Sequence, residues 1–132
     1  MRTYLLTPLR SRSRFLLAAA AVVAAAAHVP VIAPHLEEAP YMGVLFVVLT
    51  AACSALAVAG LVRDSAAVYA LAVLTCGLAI VGYAATRLVS FPLLADDVGN
   101  WLEPLGVTSV VSEAIVVGAA FFALRARIAR RL

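Results

Sequence analysis

A chain of 132 residues that is 65% hydrophobic and only 13% charged, with a mean hydropathy of +1.07, is too small to bury its apolar surface in a soluble core. Lipid must act as its solvent, which excludes an ordinary water-soluble domain. The net charge of +3 comes from ten Arg and no Lys, nine of them gathered at the chain ends and in one short loop, not interleaved with aromatics, so it is read as an orientation signal and not as a nucleic-acid surface.

The first 14 residues carry Arg2, Arg10, Arg12 and Arg14, and an apolar run from Phe15 to Ala33 follows. A basic start, an apolar stretch and small residues before His28 also imitate an export signal whose cleavage would leave three spans. The length of the run and its ending in Val29-Pro30-Val31-Ile32 favour a retained helix. Pro34 and Pro40 bound the next segment, and prolines that end helices predict a short outer loop over residues 34–41.

Further spans are expected from Met42 to Val62, Ala66 to Thr86 and Pro104 to Leu124, each with about the 20 residues needed to cross roughly 30 Å of hydrocarbon. Arg63-Asp64-Ser65 leaves room only for a tight antiparallel turn between the second and third spans. The longer connection, about Leu88 to Glu103, mixes Phe91, Leu93, Leu94 and Trp101 with Asp96, Asp97 and Asn100, which suits an interfacial lid. Arg125, Arg127, Arg130 and Arg131 close the chain, so both basic ends, 1–14 and 125–132, fall on one side together with Arg63. The expected fold is therefore a single all-α domain, an integral membrane antiparallel four-helix bundle with both termini cytoplasmic.

Small and polar residues mark the faces on which such helices meet. These are Gly43, Thr50, Ser54, Ala57 and Gly60 on the second span, Tyr69, Cys76, Tyr83 and Arg87 on the third, and Gly106, Ser109 and Glu113 on the fourth. Cys53 and Cys76 lack any CxxC spacing and read as packing residues. Glu113 stands out, because an ionisable group inside a span is costly and is by default a functional hypothesis. Counted from Pro104 it lies roughly 14 Å deep, and His28, counted from Phe15, lies about 20 Å from the opposite edge. With first and fourth helices adjacent, His28, Glu113 and a downward-reaching Arg87 can converge. Such a cluster either locks helix register or handles protons.

His28, His35 and Glu38 form a loose candidate ligand set for zinc or copper, set against a reading as interfacial side chains. Haem has no second axial ligand on an opposing helix. No nucleophile elbow, phosphate loop or metalloprotease motif is present, so a non-enzymatic role is expected.

His35-Leu36-Glu37-Glu38-Ala39-Pro40-Tyr41-Met42-Gly43-Val44-Leu45-Phe46 and the stretch from Trp101-Leu102-Glu103-Pro104-Leu105-Gly106 through Glu113-Ala114 resemble those of small four-helix integral membrane proteins of high-GC Gram-positive bacteria. The resemblance implies location and architecture and carries no activity. Length and helix count are also similar to the small multidrug transporters, but the essential carboxylate of that family is on the first helix, whereas Glu113 is on the fourth. An accessory or sensing subunit is the leading expectation, and a proton- or metal-linked transporter, as a homo-oligomer or in a membrane complex, the second.

Overall fold

A computed structural model describes residues 1–130 and 132; Arg131, counted above with the basic C-terminal end, lies outside the described residues. A single-turn helix α1 (Arg2–Leu6) precedes four long helices, α2 (Ser13–Glu38), α3 (Pro40–Arg63), α4 (Ala66–Leu88) and α5 (Pro104–Ala129). A 3₁₀ turn at Ala95–Asp97 interrupts the connection between the last two, and no strand is found among the described residues. All four long helices have the length and apolar composition to cross a membrane.

Alanine, the residue with the strongest helix preference, dominates these segments. Their starts are set locally. Proline occupies the first helical position of α3 and α5, where its missing N–H costs nothing. At α5 the Glu103 carboxylate also accepts the N–H groups of Leu105 and Gly106.

The prolines expected to end the first helix do not do so, and this corrects the expected outer loop. α2 runs unbroken through Pro30 and Pro34 to Glu38. Each proline removes one N–H from the helical ladder, but unwinding would strand every other backbone group in those turns as well. The connection shrinks to Ala39, whose N–H bonds to the His35 carbonyl at 2.8 Å. α2 and α3 come so close beyond it that a Cβ on Gly43 would lie 2.6 Å from the Leu36 backbone nitrogen. All four helices outrun the expected spans by a few residues, because amphipathic ends continue the ladder after the apolar run stops.

The four helices pack together with α2 and α5 at the centre. Of their most apolar stretches 44% and 39% is buried, against 22% for α3 and 28% for α4. α2 lies against both α3 and α5, so the expected adjacency of first and fourth long helices holds. The interior is made of small side chains, including Ala21, Ala24, Cys53, Ala57, Ala72, Cys76 and Ala120, around Leu17, Tyr69 and Val116. The large apolar side chains point outward, among them Leu45, Val48, Leu74, Leu78, Phe121 and Phe122. That inverts the arrangement of a water-soluble bundle, whose bulky apolar residues form the core.

Two segments close the ends. At one end the N-terminal arm folds back onto the α3–α4 junction: the Leu9 N–H bonds to the Asp64 carbonyl at 2.8 Å and Pro8 bridges to Ser65. At the other, residues 89–103 lie across the bundle. Tyr41 and Tyr83 donate their hydroxyls to the carbonyls of Pro92 and Trp101, and Leu94 is buried beneath. The lid expected from the amphipathic composition is therefore present as a segment strapped to α3 and α4.

Candidate functional site

The depth arithmetic that placed His28 and Glu113 at one level corresponds to a direct contact. His28 of α2 projects between the helices onto α5, where its Nε2 lies 3.1 Å from Glu113 Oε1 and 2.8 Å from Ser109 Oγ. Ser109 donates its hydroxyl to Glu113 Oε1 at 3.0 Å, one helical turn apart on the same face of α5. The Ser109–His28 bond can run in either direction, according to which imidazole nitrogen carries the proton. The His28 and Glu113 side chains are 3% and 1% exposed. His28 Nδ1 is buried without a partner among the described residues.

The surroundings of this network are packed. The Phe46 ring of α3 lies between the two histidines, 5.7 Å from His28 and 4.8 Å, edge-on, from His35. Cys53 of α3 and Cys76 of α4 are free, fully buried thiols in the same small-residue interior. Ser112 turns its hydroxyl back to the carbonyls of Thr108 and Ser109. A carboxyl, an imidazole and a hydroxyl thus share hydrogen bonds in a small-residue interior. Such a group can hold or hand over a proton, and it can fix the register of α2 against α5.

Arg87 does not join this cluster, contrary to expectation. Its Nη1 pairs with Asp97 Oδ2 at 3.1 Å, its guanidinium lies 4.4 Å from the Tyr83 ring centre, and its carbonyl accepts the Gly99 N–H at 2.9 Å. Asp97 offers a carboxylate close to the end of α4, where Arg87 is buried at 8% exposure and pairs with it. Arg87 anchors the lid.

The candidate metal ligands are not brought together either. His35 Nδ1 lies 2.7 Å from the Val31 carbonyl of its own helix, Glu38 is exposed, and His28 is committed to α5. Among the described residues no three His, Cys, Asp or Glu side chains converge as a ligand set. With α2 helical to Glu38, His28 and His35 instead share one face, and Phe46 fills the space between them.

A second polar hub went unnoticed in the sequence. Asp64 sits at φ 26° in the α3–α4 junction, 2% exposed. Its carboxylate accepts the Tyr69 hydroxyl and the Ser11 N–H at 3.0 Å, and Arg14 lies 3.8 Å away. The available signal was a lone acid in a short turn, five residues before a tyrosine.

Comparison with protein families, curated proteins and solved structures finds no match for this chain, so its function must be argued from these side chains.

Proposed function

We propose that this chain is a multi-pass integral membrane protein of the bacterial plasma membrane, an antiparallel four-helix bundle with both termini cytoplasmic, acting without catalysis as an accessory or sensing subunit. The observation that carries the reading is the buried His28–Ser109–Glu113 network, which joins the two central helices through two ionisable side chains. The outward-facing Leu, Val and Phe side chains support embedding in lipid. Orientation rests on the arginines, since the arm and the end of α5 share one end of the bundle while Asp96, Asp97 and Glu103 lie in the lid. α3 and α4, the least buried helices, leave faces for lipid, a second copy or a partner subunit.

Membrane fractions washed with alkaline carbonate should retain the protein, and reporters fused at each terminus should both signal from the cytoplasm; release by carbonate or a periplasmic terminus would overturn the reading. For sensing, the purified protein in mild detergent should show a pH-dependent change in α2–α5 distance by spin labels at exposed Val22 and Val111, lost in Glu113→Gln. A distance unmoved by pH in the parent would make the network a fixed structural lock.

The burial of two ionisable groups also favours a second reading, a small proton-linked transporter. Proteoliposomes bearing the parent chain would then pass protons or a proton-coupled solute, and Glu113→Gln would not. Metal content and the visible spectrum, compared with a His28→Ala/His35→Ala variant, separate a metal-linked version from both.

A further inference from the structure

At the arginine-bearing end of the bundle the N-terminal arm and the last turns of α5 enclose a cleft of about 220 Å³, lined by Thr7, Pro8, Leu9, Ser11, Ala123, Ala126, Arg127 and Arg130. Arg127 and Arg130 line its α5 wall, and the chain opposite carries Arg10 and Arg12 close by in sequence. Asp64, the nearest acid on the arm side, is already engaged by Arg14, Tyr69 and the Ser11 N–H. Arg127 holds the walls together with a bond to the Thr7 carbonyl at 3.0 Å and a stack on Tyr4 at 4.4 Å. Among the described residues neither Arg127 nor Arg130 has a carboxylate partner.

Folding a basic arm against a basic helix end costs electrostatic repulsion, which an anion between them removes. The negative end of the α5 dipole, worth about half a charge, does not neutralise two guanidinium groups. The cleft supplies matching donors. Arg127 and Arg130 line it, and Ser11, whose Oγ accepts the Ser13 N–H at 3.2 Å, lines it with them. Leu9, Pro8, Ala123 and Ala126 form an apolar flank on the same cleft. The arm wall is preformed by its bonds to Asp64 and Ser65.

We propose that this cleft binds a phosphate anion through Arg127, Arg130 and Ser11, its principal source being the phosphodiester headgroup of an anionic phospholipid with its chains against the apolar flank. That source rests on the membrane reading above, whereas the phosphate chemistry does not.

The test is native mass spectrometry of the detergent-purified full chain with phosphatidylglycerol or phosphatidylcholine, and with inorganic phosphate alone. The parent should retain phosphatidylglycerol in preference to phosphatidylcholine. Arg127→Gln/Arg130→Gln should weaken that retention about thirtyfold, at about 1 kcal/mol per arginine, and Ser11→Ala should weaken it less. The control Arg63→Gln/Arg125→Gln removes equal charge outside the cleft and should leave retention within about twofold. Arg130→Gln alone, at an exposed position, covers the case in which the double variant misfolds. Inorganic phosphate binding with the same dependence, and no lipid preference, would support the anion site and reassign its source. Equal losses in variant and control, or no preference together with no phosphate binding, would overturn the proposal. Carbonate extraction tests the membrane reading separately, so the two failures are distinguishable.

Discussion

Breaking the His28–Glu113 contact by halves and then as a whole gives the sharpest test of the buried network. In Glu113→Leu, Ser109 loses its acceptor and His28 loses one of its two partners, while a side chain of similar volume keeps the interior filled. Removing one member of a buried ion pair costs about 3–5 kcal/mol, whereas individual hydrogen bonds between helices in lipid are worth about 0.6 kcal/mol on average. A pair that is both 1–3% exposed and hydrogen-bonded should lie toward the upper figure, at about 3 kcal/mol for either Glu113→Leu or His28→Leu. In the double variant Ser109 can return its hydroxyl to a backbone carbonyl of its own helix, so the total should fall to about 1 kcal/mol, a coupling of about 5 kcal/mol. Reversible unfolding in mixed micelles, followed by circular dichroism, measures all four corners of the cycle. A coupling below about 0.5 kcal/mol would mean that His28 and Glu113 are independent and that the network does not set the α2–α5 register.

Other positions give predictions of known sign. Gly106→Ala would bring a Cβ to 2.5 Å from the Tyr83 ring and Gly43→Ala to 2.6 Å from a backbone nitrogen, so each should destabilise by about 1–3 kcal/mol in the same unfolding assay. Gly77→Ala and Gly118→Ala meet nothing within 4 Å and should instead stabilise by about 0.5–1 kcal/mol. Asp64→Ala removes the acceptor for Ser11 and Tyr69 and should release the arm, seen as fast amide exchange at Leu9 and Ser11 with exchange in α5 unchanged. Asp97→Asn weakens the Arg87 strap on a carboxylate that is 26% exposed, so the loss should be about 1 kcal/mol or less, read as a shift in Trp101 emission without global unfolding.

The long helices and the His28–Glu113 level were legible because both depend on period and length. The count from Phe15 set the depth of His28, and the count from Pro104 set that of Glu113. Arg87 was misjudged because depth arithmetic does not show where a long side chain turns, and a nearer carboxylate in the lid won it. The prolines misled because a helix stop is a local preference, and neighbouring turns outweighed it here. Asp64 was missed because its partners, Ser11 and Arg14, are brought to it by an arm whose fold-back has no signal in the sequence.

Three side-chain pairs among the described residues join different parts of the chain at different levels. Arg14–Asp64 joins the start of α2 to the α3–α4 junction, His28–Glu113 joins α2 to α5, and Arg87–Asp97 joins the lid to α4. If lipid surrounds the bundle, burying apolar side chains between helices gains little over leaving them in acyl chains, and the alanines of the interior offer little side-chain surface to bury. Polar contacts and the close approaches at Gly43 and Gly106 must then hold the arrangement. Because the pairs share no partner, their losses should add: Asp64→Ala combined with Glu113→Leu should cost the sum of the two within about 0.5 kcal/mol, while His28→Leu with Glu113→Leu should not. Strong coupling between the Asp64 and Glu113 levels would instead mean that the α3–α4 junction and the α2–α5 network move as one element, and a proton taken up at Glu113 would then be felt by the arm.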